Sequence, residues 1–379
     1  MSLGTAERLR TTRPRERVIG KILPVRSPFV LDSGRILPAV NVAYETYGTL
    51  NAERTNAVVV CHALTGSSRA ADAPGSDAAQ PPPWWSGIIG SGKALDTDRY
   101  YVVCSNILGS CYGTTGPASI NPASGQLYRT DFPQMSVRDM VRLQYMLLKA
   151  LGVERVATVI GGSLGGMQVL EWGILYPDFV ETIIPVATAA KHSAWCIGLD
   201  ESQRLAIVSD PVWNDGYYDE QPAKGLSIAR MIAMISYRSR PSFESRFGRE
   251  IAGDDRQKGR VFSDRESLFQ VESYLRYQGE KLVDRFDANA YLYLTRAMDL
   301  HDVGSGRGSV ADALGAIQAR ALCVGISSDI LYPAVEQKEI ASLIPGARYI
   351  EIDSPHGHDA FLMEFDQLNR IIRGFLNSI

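Results

Sequence analysis

A serine, an aspartate and a histidine, each placed just after an apolar strand-like run, make up the reactive set of this sequence. Ser163 sits in Gly161-Gly162-Ser163-Leu164-Gly165, a G-x-S-x-G. The run Val156-Ala157-Thr158-Val159-Ile160 precedes it, and apolar residues at Met167, Leu170, Ile174 and Leu175 follow at helical spacing. A strand that turns sharply into a helix pushes one hydroxyl out at the apex, where it can act as a nucleophile. The flanking glycines are needed because side chains there would collide with the neighbouring strand and helix. A dinucleotide fingerprint is excluded, since Gly161-Gly162-Ser163-Leu164-Gly165-Gly166 does not follow G-x-G-x-x-G.

A serine hydroxyl needs a base, and the base needs an orienting carboxylate. Asp329 follows the strand-like Ala321-Leu322-Cys323-Val324-Gly325-Ile326, and His356 and His358 both follow the run ending at Ile352. Asp353 is a rival acid, but it shares a strand end with the histidines, so Asp329 is expected to be the orienting group. Either histidine could be the base on position alone. The oxyanion of an acyl transfer needs two N–H donors. Leu164, directly after the serine, is expected to supply one, and Leu64 in His62-Ala63-Leu64-Thr65-Gly66 the other. His62 itself is read as a structural histidine.

The elements that must position these groups alternate. Val18 to Val30 and Ile36 to Tyr47 read as antiparallel strands turning at Asp32-Ser33-Gly34. Asn56 to Cys61 and Tyr100 to Ser105 read as buried strands separated by a long irregular excursion over residues 66–93. Ser136-Val137-Arg138-Asp139 has the form of a capping box, and Met140, Leu143, Leu147 and Leu151 continue it as a helix ended by Gly152. After the strand Thr182 to Ala187, residues 188–300 carry helical patterns at Gln203 to Val208, Gly225 to Tyr237, Leu268 to Phe286 and Ala288 to Leu300. Strand and helix alternation then resumes, with a helix at Ala334 to Leu343, a strand at Ala347 to Ile352 and a last helix from Phe361 to Leu376. The expected class is α/β: a mostly parallel central sheet with a helical lid insertion. The expected division is a tail at 1–17, a core at 18–187 and 301–379, and a lid at 188–300.

Composition narrows the partners. The net charge is -3 over 379 residues, with 45% apolar and 21% charged residues. That balance predicts no nucleic-acid or anionic-membrane partner. No apolar run reaches the ~18 residues of a membrane span, and the Arg-rich start lacks the apolar stretch of a secretory signal. Five cysteines, Cys61, Cys104, Cys111, Cys196 and Cys323, include no C-x-x-C pair. They read as free thiols in a reducing compartment, and no metal site is expected.

Several strings resemble those of the homoserine O-acetyltransferases of the α/β-hydrolase superfamily: Gly161 to Trp172, His62 to Gly66, Asn106-Ile107-Leu108-Gly109, Gly113-Thr114-Thr115-Gly116-Pro117 and Gly357-His358-Asp359-Ala360-Phe361-Leu362. They fall in the family's order over roughly residues 20–375. The resemblance implies an α/β-hydrolase fold and selects His358, because the family's histidine directly precedes an aspartate. It implies a ping-pong reaction in which Ser163 takes an acetyl group from acetyl-CoA and L-homoserine then attacks it, in methionine biosynthesis. Arg230 would clamp the acceptor carboxylate, Asp359 would meet its ammonium, and Tyr237 and Thr65 would line the pocket; Arg238 is the nearest rival to Arg230. The family also implies a cytoplasmic homodimer joined through the helical insertion, with no permanently bound cofactor. Succinyl-CoA as donor, serine as acceptor, or simple ester hydrolysis are the alternative chemistries. No cation follows Asp329 in Ser328-Asp329-Ile330-Leu331-Tyr332, which favours acetyl over succinyl.

Overall fold

The computed structural model describes residues 17–72, 82–252 and 269–378. The expected N-terminal tail lies outside them except for Arg17, as do residues 73–81 of the long excursion. The first half of the chain supplies β1 (Lys21–Val25), β2 (Phe29–Val30), β3 (Ile36–Leu37), β4 (Val40–Tyr47), β5 (Ala57–Cys61), β6 (Tyr101–Ser105), α1 (Val137–Ala150), β7 (Val156–Gly162), α2 (Leu164–Leu175) and β8 (Thr182–Val186). Six helices follow: α3 (Ala194–Val208), α4 (Ala223–Tyr237), α5 (Arg240–Phe247), α6 (Gln270–Val283), α7 (Ala288–Asp299) and α8 (Val310–Gly315). The chain then closes with β9 (Arg320–Ile326), α9 (Ala334–Leu343), β10 (Arg348–Ile352) and α10 (Phe365–Leu376).

Eight strands form one sheet in the order β1-β4-β6-β5-β7-β8-β9-β10. The pairs from β6 to β10 are parallel, while β4 runs antiparallel to β6 and to β1. All five residues of β5, Ala57-Val58-Val59-Val60-Cys61, are buried, as are the five of β8. Both faces of such strands are covered, so the sequence is apolar throughout instead of alternating. The edge strands β1 and β10 expose residues, as one-sided strands do.

The N-terminal strands differ from expectation. The two long strands are broken: β1 pairs with β4, and β2 with β3 forms a separate small hairpin around Leu31 to Arg35. Pro28 and Pro38 flank that hairpin, and a proline cannot donate to a ladder. The last helix starts at Phe365, not Phe361, because Gly357–Leu362 is a 3-10 turn that carries His358. The insertion holds more helix than its periodicity suggested. α3 runs fifteen residues from its cap at Ser193 instead of beginning at Gln203, and α5 and α8 are short helices without a clear apolar period. The expected helix to Phe286 stops at Val283; its predicted first residue, Leu268, lies outside the described residues.

The helical excursion leaves the core and returns to it at one point. Lys191 bridges Asp302, His192 N–H donates to the carbonyl of His301, and Val303 N–H donates to that of Ala190. The insertion is therefore pinned at its neck beside the carboxyl end of β8. Close approach of α4 and α6 shapes its interior, since a Cβ on Gly279 would lie 2.1 Å from Ser227 Oγ.

The predicted capping box is present. Ser136 Oγ accepts from Asp139 N–H, and the Asp139 carboxylate accepts from Ser136 N–H at 2.9 Å. Asp139 Oδ1 also accepts from the N–H of Asp32 at 2.8 Å, tying α1 to the small hairpin. Ser136→Ala should lower stability by about 1 kcal/mol, and Asp139→Ala by about 1–3 kcal/mol because a second buried N–H loses its acceptor. Urea denaturation of the two variants checks the order; equal losses would show that the link to Asp32 contributes nothing.

Candidate active site

The elbow forms because four glycines let three segments meet. A Cβ on Gly161 or Gly165 would stand 2.5 or 2.2 Å from the carbonyl oxygen of Cys61, so β7 and α2 both press on the end of β5. A Cβ on Gly162 would strike the Phe361 ring at 2.7 Å, and one on Gly166 would strike Thr188 at 2.5 Å. Ser163 itself has φ 61° and ψ -127°, a conformation that costs a side-chain-bearing residue about 1–3 kcal/mol. It is held there from the next strand: its N–H donates to the carbonyls of Val186 and Ala187, and Thr188 Oγ1 donates to its carbonyl at 2.7 Å.

Asp329 and His358 are brought together from two strand ends. Nδ1 of His358 lies 2.7 Å from Oδ2 of Asp329, both side chains being buried. An ionised carboxylate only accepts, so Nδ1 carries the proton and Nε2 is left with its lone pair. The other oxygen of Asp329 accepts from the N–H groups of Leu331 and Tyr332 at 2.8 and 3.0 Å. Tyr332, Phe361 and Tyr237 surround the imidazole, with ring centres 5.2, 5.4 and 5.8 Å away. Among the described residues Nε2 has no hydrogen-bond partner, so the link to Ser163 Oγ is open in this arrangement. Catalytic bonds of this kind commonly close only when substrate is bound. Glu336, partly buried near Asp329, has its carboxyl pushed up to about 7, by burial first and by the Asp329 charge second.

Leu64, the expected second oxyanion donor, sits on a segment tied to α2. Gln168 Nε2 donates to the carbonyls of His62 and Leu164, Gln144 Nε2 donates to Gln168 Oε1 at 2.8 Å, and the Trp172 indole donates to Gln144 Oε1 at 2.8 Å. This buried chain sets the His62–Leu64 segment against the start of α2. Among the described residues no acceptor meets the N–H of Leu64 or of Leu164. His62 is structural: Nδ1 meets the Ala63 carbonyl at 2.8 Å, Nε2 accepts from Ile107 N–H, and burial pulls its pKa down to about 4. Asp353 and His356, the rivals, stand apart, with Asp353 accepting from Ser327 and His356 3.5 Å from Ser242 Oγ.

Two of the four residues expected to meet the acceptor, Arg230 and Tyr237, lie on α4. Arg230 lies over the Tyr237 ring, 5.5 Å from its centre and two turns away on one helix face. Burial pushes the Tyr237 hydroxyl up, and it shares a hydrogen bond with Tyr291. Asp359 faces Arg238, whose Nε is 3.1 Å away in a charge contact without an aligned hydrogen bond. Arg238 thus belongs to Asp359, and Arg230 remains the guanidinium without a carboxylate partner among the described residues. Thr65 is already engaged, since Arg285 donates to its carbonyl at 2.6 Å and to its Oγ1 at 3.2 Å.

Sequence reading did not find the support behind the triad. Tyr332 is fully buried, with its hydroxyl 3.0 Å from His192 Nε2, and His192 Nδ1 is 3.2 Å from Asp299. Asp299 in turn pairs with Arg204 at 2.6 Å. Asp200 lies beside it, its carboxyl held well above the usual range by burial and by the Asp299 charge. His192, Asp200 and Asp299 could converge on a cation, and the Arg204 guanidinium supplies one. No local motif marks residues separated by more than a hundred positions; only the rarity of histidine, five in the chain, could have flagged His192.

Gly165→Ala should force β5 and α2 apart, lowering stability by about 1–3 kcal/mol and slowing covalent labelling of Ser163 by a fluorophosphonate. Denaturation and labelling rates check it; an alanine variant as stable and as quickly labelled as the parent would contradict the close approach.

Comparison with known proteins places this geometry. The model of the alpha/beta hydrolase fold family matches residues 56–365. The homoserine O-acetyltransferase of Chlorobium chlorochromatii is 49% identical over 354 residues, 93% of this chain and 94% of that protein. The crystal structure of homoserine O-acetyltransferase from Bacillus anthracis superposes with a TM-score of 0.87 at 31% identity, covering 95% of this chain and 98% of that one. The crystal structure of esterase E22 superposes with a TM-score of 0.85 at 30% identity, over 94% and 99%. Shared fold, sequence identity and near-complete coverage agree: the chain belongs to the homoserine O-acetyltransferase family, within the α/β-hydrolase fold.

Proposed function

We propose that Ser163, His358 and Asp329 carry an acetyl group from acetyl-CoA to the hydroxyl of L-homoserine in two half-reactions. His358 Nε2 takes the proton of Ser163 Oγ as that oxygen attacks the thioester carbon. Negative charge gathers on the carbonyl oxygen against the N–H groups of Leu64 and Leu164. The intermediate collapses to an acetyl-serine ester, and CoA leaves with the proton from His358. The homoserine hydroxyl then gives its proton to Nε2 and attacks the ester. Collapse of the second intermediate frees O-acetylhomoserine and returns the proton to Ser163. No bound cofactor enters the scheme.

One observation carries this reading: an imidazole oriented by Asp329, with Nε2 unengaged, beneath a lid that presents an unpaired arginine. In the scheme Arg230 takes the acceptor carboxylate through its planar fork. Asp359 takes the ammonium in exchange for part of its contact with Arg238, and Tyr237 and Thr65 wall the pocket. Acetyl is favoured over succinyl because the groups around Asp329 are the Leu331 and Tyr332 amides and Glu336, none of which would attract a second carboxylate. Five buried, unpaired thiols suit a reducing cytoplasm, and among the described residues no helix is long and apolar enough to cross a membrane. The product serves methionine biosynthesis.

The likeness to esterase E22 makes hydrolysis the second reading. Steady release of CoA and acetate without an amino-acid acceptor would favour it, whereas dependence on homoserine favours transfer. Ser163→Ala should lower transfer by about 10⁴-fold or more. Arg230→Ala should raise KM for homoserine roughly ten- to a hundredfold while acyl-enzyme formation, followed as a burst of CoA, continues. Loss of the burst in that variant would refute the carboxylate-clamp assignment.

The helical insertion is also the proposed homodimer contact. Trp195 and Leu205 on α3, Ile235 on α4 and Tyr277 on α6 are each more than half exposed, and they are the apolar side chains that a second copy would cover. Light scattering should give twice the chain mass, and Ile235→Asp should give a single chain. A parent protein of one chain mass at micromolar concentration would overturn the dimer.

A further inference from the structure

A cavity of about 210 Å³ opens between the oxyanion segment and the α4–α6 pair. Thr65 and Gly66 line it on the core side, Trp84 on one flank, and Arg230, Lys281 and Arg285 on the lid side. Among the described residues three cations and no carboxylate line this cavity, in a chain whose net charge is -3. The concentration of positive charge is therefore local.

The three cations differ in how they are held. Arg285 donates to the Thr65 carbonyl, Thr65 Oγ1 and the Tyr112 hydroxyl, at 2.6, 3.2 and 2.9 Å, and all three acceptors are neutral. It fixes the segment next to Leu64 while keeping its charge uncompensated. Arg230 rests on the Tyr237 ring. Lys281 is exposed at the rim, 5.9 Å from the Tyr277 ring centre, and joins no ion pair among the described residues. Gln278 and Lys281 are three apart on α6 and share a face, and Arg285 follows in the turn just past the end of that helix. The close contact of Gly279 with Ser227 packs α6 against α4, which carries Arg230. Trp84 is held by donation of its indole N–H to the Ser67 carbonyl at 2.9 Å, placing an aromatic wall along the same opening.

A zwitterionic amino acid brings one carboxylate and its own ammonium. It needs one cation, so Arg230 suffices and two remain. The donor, by contrast, is a thioester whose far end carries phosphates. Thr65, next in sequence to Leu64, lines the cavity, so a thioester with its carbonyl at Leu64 could extend past Thr65 and Arg285 toward Lys281. Resting on the acyl-CoA reading above, we propose that this cavity is the donor channel and that Lys281 pairs with a phosphate of the CoA moiety, with Arg285 lending its charge from deeper in. Charge-assisted contacts to phosphate are stronger than neutral ones, and a lysine serves as a point charge there.

The test compares two donors on the full-length enzyme. Acetyl-CoA has phosphates; S-acetylpantetheine has the same thioester and arm without them. Lys281→Ala should reduce the kcat/KM preference for acetyl-CoA over S-acetylpantetheine roughly three- to tenfold, mainly through KM for acetyl-CoA, and Lys281→Arg should restore it. The fall of kcat/KM for acetyl-CoA with added KCl should be shallower in Lys281→Ala than in the parent. An unchanged preference would overturn the proposal, as would an equal loss with both donors, which would mark Lys281 as a packing residue of α6. Failure of the underlying reading looks different: the parent enzyme would show no burst with acetyl-CoA while p-nitrophenyl acetate still acylated Ser163.

Discussion

The carbonyl oxygen of Cys61 lies where Gly161 and Gly165 leave room for it, and this close approach is what the site depends on. It brings the end of β5 within touch of both the strand that precedes Ser163 and the helix that follows it. The segment after β5 carries Leu64, so the same contact that bends the chain at the nucleophile also delivers a second N–H toward it. The strain at Ser163 persists because neighbouring elements over-determine it: donation to Val186 and Ala187, acceptance from Thr188, and the Gln144–Gln168–Trp172 chain beneath. Ser163 and the Leu64 segment proposed to hold the oxyanion are thus one packed object rather than separate loops.

The base is arranged by a second object. Asp329 is fixed by two backbone amides, and the residue supplying one of them, Tyr332, is anchored through His192 to the lid-borne pair Asp299 and Arg204. Its ring also packs against His358. The position of the imidazole therefore depends on the lid as well as on the core. Charge follows the same division: the core side carries the Asp329 carboxylate that meets His358, and Arg230, Lys281 and Arg285 line the cavity on the lid side.

What could be read from residues alone follows from how local each signal is. The elbow, the capping box at Ser136 and the buried strands β5 and β8 are contiguous patterns whose period or composition is dictated by the nearest neighbours, and they were legible. Asp329 and His358 were legible because each follows its own strand. The short N-terminal hairpin was misread because Pro28 and Pro38 were passed over as strand breakers. The start of α10 was misread because Gly357–Leu362 is helical in pattern but wound too tightly to join it. Tyr332, His192 and Asp299 lie far apart in the chain and meet only in three dimensions. Lys281 on α6 and Arg285 just past its end look like ordinary solvated residues until the packing of α4 against α6 sets them around a cavity.

The neck at Lys191 and Asp302 has an evolutionary reading. An excursion whose two ends touch can be enlarged, trimmed or replaced without disturbing the strand order on either side. Preference for the incoming alcohol, or for water, can then drift in that cassette while the nucleophile beneath stays unaltered. An esterase and a homoserine O-acetyltransferase both superpose on this chain almost end to end, excursion included, so a shift between cleaving esters and relocating acyl groups calls for new side chains in that cassette rather than a new cassette.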